Sequence, residues 1–126
     1  MTTLLLVEDS FLLRRALHDL LTEKFPALSV AGVRDGEEAL DLVGWLQPDI
    51  ILLDIMLPER IGLRITGKLR ERLPGAAIVV FIDFDAPPCR EAAFAAGASH
   101  VLWKRSCSAT RILDLITTLI AYDGTD

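Results

Sequence analysis

The feature that most restricts the fold is an unbroken apolar run at residues 50–53, which ends in Asp54 and lies between Pro48 and Pro58. So short a run without polar positions predicts a β-strand that is buried on both faces. Strands of this kind belong to parallel sheets that helices cover on both sides. Asp54 is therefore expected at the carboxyl end of a central strand, the edge at which open α/β sheets bind ligands.

Similar apolar runs recur along the chain, and each is followed by a segment with helical periodicity. The predicted strands are residues 4–7, 28–33, 50–53, 76–82 and 99–103. The predicted helices are residues 11–25, 35–46, 63–73, 87–96 and 109–121, with a frayed tail at 122–126. Such alternation predicts an α/β fold, a (βα)5 flavodoxin-like three-layer sandwich with right-handed crossovers. In that fold the parallel strands follow the order 2-1-3-4-5.

The helix ends and faces can also be predicted. Ser10 and Asp35 are expected to cap the first two helices, because their side-chain oxygens can accept from free backbone N–H groups. Glu38 is expected to reach back, as in a capping box. On the first helix, Phe11 and Leu13 are expected on the inward face with the leucines that follow them.

The composition disfavours several classes of function. With a net charge of −5 and a pI near 5.0, the segment is not expected to bind nucleic acid directly or to bind acidic membranes. Cys89 and Cys107 lack metal-ligand spacing, so we expect reduced thiols in a cytoplasmic protein. No apolar run approaches the ~18 residues of a membrane span. Glu8 and Asp9 interrupt the N-terminal run, which argues against a signal peptide.

Charged side chains come just after four of the predicted strands: Glu8, Asp9, Asp54, Asp83 and Lys104. If the strands follow the flavodoxin-like order 2-1-3-4-5, strands one and three are neighbours and the first three acids should converge. Carboxylates this close repel one another, and a hard divalent cation such as Mg²⁺ relieves the repulsion. A carboxylate beside a metal ion and a lysine can attack a phosphoryl group. On spacing alone, helix caps and solvated strand ends explain these acids equally well.

Four stretches of the sequence resemble the receiver domain of two-component response regulators. They are Val-Glu-Asp-Ser at 7–10, Asp-Gly-Glu-Glu-Ala-Leu at 35–40, Pro-Asp-Ile-Ile-Leu-Leu-Asp-Ile-Met-Leu-Pro at 48–58, and Gly-Ala-Ser-His-Val-Leu-Trp-Lys at 97–104. In this order and at this spacing, the resemblance covers nearly the whole chain. It implies that residues 1–126 form a single receiver domain, which can be the N-terminal part of a longer regulator.

The resemblance also implies a role for each residue that matches the motif. Asp54 corresponds to the phosphoacceptor, which takes a phosphoryl group from a kinase histidine. Asp9 and Asp54 correspond to the direct ligands of Mg²⁺, and Glu8 to the second acid, which acts through water. Met56 falls where a backbone carbonyl completes the metal shell. Lys104 corresponds to the lysine that pairs with the phosphoryl oxygen.

Two positions depart from the family pattern. The switch hydroxyl of the family, a Thr or Ser, falls at Ile82, and the switch aromatic falls at Val101. Isoleucine cannot donate the hydrogen bond that pulls the following loop toward the phosphoryl group, and valine lacks the ring that changes rotamer. A shift of one residue would move the switch to Asp83, which supplies no hydroxyl either. The Asp83 carboxylate is expected to crowd the site, repel a phosphoryl group or pair with Lys104.

The resemblance implies a signalling protein and no enzyme, with self-catalysed phosphoryl transfer and autodephosphorylation at most. Its partner would be a histidine kinase or a phosphotransfer protein. The fourth helix, fifth strand and fifth helix would form its output surface and a candidate homodimer surface. The alternative is a pseudo-receiver, a constitutive protein-interaction or dimerisation module without phosphorylation-driven switching. An Asp-nucleophile phosphatase is disfavoured because Met56 replaces its second acid, and a flavin carrier because Glu8 and Asp9 would repel the phosphate.

Other conspicuous residues are expected to be structural or solvated. Trp45 and Trp103 are expected to pack against the core. Arg70 is expected on a solvated face of the third helix. His18 and His100 have no predicted catalytic partner. Cys107 follows Lys104 near the site, and nothing in the sequence supports a redox role for its thiol.

Overall fold

A computed structural model describes residues 2–54 and 59–123, which contain five strands and five α-helices. The strands are β1 (Thr3–Glu8), β2 (Ser29–Val33), β3 (Ile50–Asp54), β4 (Ala77–Ile82) and β5 (His100–Trp103). The helices are α1 (Phe11–Lys24), α2 (Gly36–Leu46), α3 (Glu59–Arg72), α4 (Pro87–Ala96) and α5 (Ala109–Asp123), and a short 3-10 turn, Lys104–Ser106, follows β5.

The strands form one parallel sheet in the order β2-β1-β3-β4-β5, which confirms the predicted flavodoxin-like (βα)5 fold. The pairing register decides which side chains meet at the carboxyl edge. Glu8 at the end of β1 lies opposite Asp54 at the end of β3. Ile82 at the end of β4 lies opposite Trp103 at the end of β5.

The apolar runs of the strands contribute to two cores, because successive side chains of a strand point to opposite faces of the sheet. One core joins the strands to α2 and α3, and it includes Leu5, Val7, Val43, Ile51, Leu53, Ile65 and Leu69. The other joins them to α1 and α5, and it includes Leu4, Leu6, Leu21, Ile50, Leu52, Ile112 and Ile116. Burial contributes about 1.5–3 kcal/mol for each such side chain, so short apolar runs suffice to commit these segments to the interior.

The first two helices begin at the predicted caps. The Ser10 hydroxyl accepts from the Leu13 N–H at 3.3 Å, and the Asp35 carboxylate accepts from the Glu38 N–H at 2.9 Å. Glu38 also reaches back, although its Oε1 accepts from the Arg34 N–H at 3.1 Å, one residue before the cap. Local side-chain oxygens therefore set the start of both helices, as their sequences predict.

The third and fifth helices are longer than predicted. The predicted start of α3 at residue 63 is wrong, because the helix already begins at Glu59. A Cβ at Gly62 would meet nothing within 4 Å, and a glycine inside a helix costs only about 1 kcal/mol, so the helix continues through it. Helix α5 extends to Asp123, two residues past its predicted end. Among the described residues, no helix is both long and apolar enough to cross a bilayer.

Three predicted core side chains are in fact exposed. Phe11 and Leu13 on α1 are 61% and 36% exposed, and Trp45 on α2 is 74% exposed, so the packing predicted for them is wrong. Helix α1 starts three residues after β1 ends, so its first turn lies at the rim of the sheet. The helix reaches the core only further along, at residues such as Leu21. The Phe11 ring instead lies 5.7 Å from the Arg14 guanidinium, a cation–π distance.

Arg70 on α3 is a structural clamp, so the solvated role predicted for it is wrong. Its guanidinium donates to the backbone carbonyls of Gly97, Leu73, Pro74 and Ala76 and to the hydroxyl of Ser99, at 2.7–3.1 Å. These acceptors belong to the end of α3, the turn before β4 and the turn before β5. Only the planar fork of arginine offers five donors in one side chain. Arg70 therefore joins the stretch that directly follows α3 to a segment 27–29 residues away in the sequence.

Replacing Arg70 with alanine should destabilise the fold by about 2–3 kcal/mol, because several backbone carbonyls lose a charged hydrogen-bond donor. The measurement is urea unfolding monitored by circular dichroism. Arg64→Ala is the matched control, since Arg64 is an exposed cation on the same helix, and it should change the stability by less than about 0.5 kcal/mol. Equal effects of the two substitutions would contradict the clamp.

Candidate functional site

Asp54, Glu8 and Lys104 meet at the carboxyl edge of the sheet, where β1, β3 and β5 end. The Lys104 ammonium lies 3.0 Å from the Asp54 Oδ1, and Asp54 is only 6% exposed. The neighbouring registers of β1 and β3 bring Glu8 beside Asp54. A largely buried acid that contacts an ammonium on one side and another acid on the other is the chemical core of the site.

Glu8 is fully buried, and its two carboxylate oxygens have different surroundings. Its Oε2 accepts from the Ser10 N–H at 2.9 Å, whereas its Oε1 is buried without a hydrogen-bond partner among the described residues. Burial and the neighbouring carboxyl group of Asp54 raise the pKa of Glu8 to about 8, although the Ser10 N–H opposes the shift. Near neutral pH the folded protein therefore favours a protonated Glu8, which can share its proton with Asp54.

Lys104 remains charged despite its partial burial. Burial alone would lower the pKa of its ammonium, but the hydrogen bond to Asp54 and the negative charges of Asp54, Glu8 and Asp83 raise the pKa overall. Asp83 is exposed, and among the described ion pairs Lys104 pairs with Asp54 and not with Asp83. Of the roles predicted for Asp83, direct pairing is therefore not seen, while repulsion across the site stays a prediction.

The residues present fit a divalent cation. The unpartnered Glu8 Oε1 offers a carboxylate oxygen beside Asp54, and the exposed Asp9 follows Glu8 directly. Within the described ranges, no three His, Cys, Asp or Glu side chains form a ready metal-binding group. Magnesium does not require one, because it is usually held by one or two carboxylates together with water. Met56, whose backbone carbonyl was predicted to join the metal shell, lies outside the described residues.

Arg14 of α1 contacts the backbone at Glu8, a role that sequence reasoning missed. Its Nη1 donates to the Glu8 backbone carbonyl at 2.7 Å. Its aliphatic stem crosses Gly32 on β2, where an added Cβ would lie 3.3 Å from the arginine Cγ and Cδ. A glycine in mid-strand often marks such a close approach, so Gly32 is the signal that could have revealed this contact.

The two positions that depart from the family pattern are apolar and packed. Val101 is 6% exposed and lies in a small cluster with Ala93 and Ala98, and Ile82 packs against that cluster. Trp103, which was predicted to pack, is half-buried and donates from its indole Nε1 to the Asp83 carbonyl at 3.1 Å. The end of β5 therefore contacts the loop after β4 through Trp103, a contact that sequence reasoning missed.

The Cys107 thiol packs beside the second core near the site. Burial raises the pKa of this thiol, and the negative charge of Asp54 adds to the effect while Arg111 opposes it. Since the thiolate is the reactive form of cysteine, the raised pKa disfavours reactivity. Cys107 is accordingly read as a packing residue.

The raised pKa of Glu8 predicts a pH-dependent contribution to stability. Between the ordinary value of 4.5 and about 8, the folded state binds one more proton than the unfolded state. The contribution is therefore complete below pH 4.5 and is lost as the pH rises toward 8. The side chain of the Glu8→Gln variant is neutral throughout this pH range. In metal-free buffer, the free energy of unfolding of the wild type should therefore fall by up to about 1.4 kcal/mol per pH unit relative to that variant. The measurement is urea unfolding of both proteins from pH 5 to pH 8. The same pH dependence of stability in wild type and variant would contradict the raised pKa of Glu8.

Comparison with known proteins agrees with this arrangement. The family model of the response regulator receiver domain matches residues 4–117. The chemotaxis protein CheY of Halobacterium salinarum is 31% identical over 100 residues, which cover 79% of this chain and 82% of CheY. A protein-glutamate methylesterase/protein-glutamine glutaminase of Syntrophus aciditrophicus is 36% identical over 96% of this chain. The chain spans 21–36% of the length of the methylesterase relatives that it matches.

Solved structures show the same fold. The crystal structure of chemotaxis protein CheY4 of Vibrio cholerae has a TM-score of 0.81 and 22% identity, with 95% of this chain and 99% of that chain covered. Its low identity supports the fold alone. The match of the family model to nearly the full length confirms the resemblance predicted from the four sequence stretches. The chain thus belongs to the response regulator receiver domains of two-component signalling.

Proposed function

We propose that this receiver is phosphorylated on Asp54 by the phosphohistidine of a kinase or a phosphotransfer protein. The observation that carries the proposal is the 3.0 Å contact between the Lys104 ammonium and the Asp54 Oδ1, at an edge where Glu8 Oε1 lacks a partner. A nucleophilic carboxylate, a fixed cation and a second acid are what phosphoryl transfer requires of a protein. We assign no enzymatic activity beyond this self-catalysed transfer and the hydrolysis of its product.

In the proposed step, an Asp54 carboxylate oxygen attacks the phosphorus of the phosphohistidine. A new O–P bond forms and the P–N bond breaks, with its electron pair left on the imidazole nitrogen, which takes a proton from solvent. The product on Asp54 is an acyl phosphate, and water attack on phosphorus later returns the carboxylate and inorganic phosphate. Lys104 stabilises the charge on the equatorial phosphoryl oxygens, because its ammonium already lies against Asp54.

Magnesium is the cofactor that these residues suit. We propose that Asp9 and Asp54 hold it directly, with Glu8 acting through water and the Met56 carbonyl completing the shell. When bound, the ion neutralises negative charge between the acceptor and the incoming phosphoryl group. The buried and unpartnered Glu8 Oε1 supports this assignment, since an orphaned carboxylate oxygen is costly without a cation or a proton.

The surface proposed for output is the face formed by α4, β5 and α5. A groove on this face is lined in part by Phe94, Val101, Arg111 and Asp114, and Phe94 is 48% exposed. A surface that carries a cation, an anion and an aromatic ring can be self-complementary about a two-fold axis. We therefore propose this face for partner binding or homodimerisation. We also propose that residues 1–126 form a single receiver domain, which can be the N-terminal part of a longer regulator, since the chain covers 82% of CheY but only 36% of the Syntrophus methylesterase.

A second candidate function is a pseudo-receiver that binds its partner constitutively. The packing of Ile82 against the Val101 cluster favours it, because apolar side chains there can neither donate to a phosphoryl oxygen nor move as the usual aromatic does. In this case, phosphorylation of Asp54 would leave the output face unchanged. The two candidates share the fold and differ in whether the modification alters binding.

Phosphorylation of Asp54 is tested by incubating the protein with Mg²⁺ and a small acyl phosphate donor. The wild type should acquire acid-labile phosphate, and Asp54→Asn should acquire none, because the amide is no nucleophile. Asp41→Asn removes an exposed carboxylate on α2 and serves as the control, with labelling retained. Equal labelling of wild type and Asp54→Asn would refute the proposal.

With Asp9→Asn the Mg²⁺ concentration for half-maximal labelling should rise at least about ten-fold, and with the exposed Asp41→Asn it should not.

The pseudo-receiver is distinguished by what phosphorylation changes. For a switching receiver, labelled wild type should differ from unlabelled wild type in oligomeric state or in amide exchange of α4, β5 and α5, and Asp54→Asn should show no difference. The measurements are analytical ultracentrifugation and hydrogen exchange with and without donor. Stoichiometric labelling without any change in either measurement would favour the constitutive module.

A further inference from the structure

The loop between β4 and α4 is held to β5 at two points. At its start, the Trp103 indole donates to the Asp83 carbonyl at 3.1 Å. Further along, the Arg90 guanidinium of α4 binds the Asp85 carboxylate and also donates to the Val101 carbonyl at 3.2 Å. Strand β5 is the last strand of the sheet, so these bonds attach the loop to an edge strand. Asp83–Ala86 therefore depends on the position of β5.

Trp103 directly precedes Lys104, and the two side chains reach different parts of the molecule. The Lys104 ammonium contacts Asp54 at the end of β3, whereas the Trp103 indole contacts the loop after β4. Only one peptide unit separates the two residues, and Lys104 begins the short 3-10 turn that ends β5. A displacement of the Lys104 backbone is thus transmitted to the Trp103 hydrogen bond.

A phosphoryl group on Asp54 would change the forces on both residues. It adds negative charge at pH 7 and places its oxygens further from β3 than the carboxylate that Lys104 now contacts. The ammonium must shift to follow those oxygens. The carboxylate of Asp83, close enough to influence Lys104, would be repelled by the added charge. These two forces act on opposite ends of the hydrogen bond between Trp103 and Asp83.

The positions that usually respond to phosphorylation offer no competing path. Ile82 has no hydrogen-bond donor on its side chain, so the loop gains no attraction toward a phosphoryl oxygen from it. Val101 is 6% exposed and packs with Ala93 and Ala98, so it has no ring to move and little room. Of the two described side-chain links between β5 and the loop, the Trp103 indole is the one next to Lys104 in the chain, whereas Arg90 joins the loop to Val101.

We infer that Trp103 is a positioning residue that couples Lys104 to the β4–α4 loop through the Asp83 carbonyl, and so transmits phosphorylation in place of the family's hydroxyl and aromatic pair. The inference rests on the proposed phosphorylation of Asp54. On phosphorylation the β4–α4 loop should move outward, because the added charge repels Asp83 and draws Lys104 away from Asp83. Release of the loop frees the backbone of residues 83–90 at the edge of the α4, β5 and α5 face.

The test compares Trp103→Phe with Trp45→Phe. Phenylalanine keeps an aromatic ring at position 103 and removes the N–H donor, while Trp45 is 74% exposed on α2 and serves as the matched control. Amide hydrogen exchange of residues 83–90 is measured by mass spectrometry before and after treatment with Mg²⁺ and the acyl phosphate donor. Acid-labile phosphate is quantified on the same samples, and urea unfolding checks that both variants fold.

Before phosphorylation, exchange in residues 83–90 should be about three- to ten-fold faster in Trp103→Phe than in Trp45→Phe, because one hydrogen bond holding the loop is lost. Phosphorylation should accelerate exchange in this segment in wild type and in Trp45→Phe, and should add little in Trp103→Phe. In Trp45→Phe, where Trp103 is the remaining tryptophan, the fluorescence emission should also change on phosphorylation.

The outcomes separate this inference from the proposed function. If Asp54 is labelled in every protein and the phosphorylation-dependent change persists undiminished in Trp103→Phe, the coupling is wrong while the phosphoacceptor stands. If unphosphorylated Trp103→Phe exchanges like the control, the hydrogen bond does not hold the loop and the inference is overturned. If wild type is not labelled at all, the proposed function fails, and the coupling fails with it as a phosphorylation response.

Discussion

The parallel pairing of β1 with β3 is the constraint on which the site depends, because its register sets Glu8 directly opposite Asp54. Two acids held side by side at a buried edge cannot both be ionised without compensation. The structure compensates in two ways, with a proton favoured on Glu8 and with the Lys104 ammonium against Asp54. A cation can replace that proton. The repulsion between the two acids is therefore what the proposed Mg²⁺ would relieve.

The proposed acceptor chemistry and the proposed conformational response involve different parts of this molecule. The acids and the lysine depend on β1, β3 and the end of β5, which are fixed by two apolar cores. The response would depend on the loop after β4, where the usual hydroxyl and aromatic are replaced by Ile82 and Val101. Hydrogen bonds from Trp103 and Arg90 hold this loop instead. If both proposals hold, this receiver keeps its acceptor while other side chains link it to the proposed output face.

Most of the fold could be predicted because its determinants are local. Unbroken apolar runs marked the strands, and Ser10 and Asp35 marked helix starts through hydrogen bonds that span only three residues. The failures were side chains whose surroundings come from distant segments. Arg70 binds carbonyls up to 27 residues away, and Trp45 on α2 is 74% exposed because no other described segment covers it. Periodicity records which face a residue lies on, but not what the chain brings to that face.

The sequence by itself determined the alternation of strands and helices, the strand-end position of the acids, and the apolar identity of the two switch positions. Residue type and spacing are sufficient for these, since burial and capping act over a few residues. Only the tertiary structure decided that Glu8 is buried with an unpartnered oxygen, that Lys104 pairs with Asp54 rather than Asp83, and that Trp103 reaches the next loop. In each case the residue types allow several contacts, and the strand register and packing decide which contact forms.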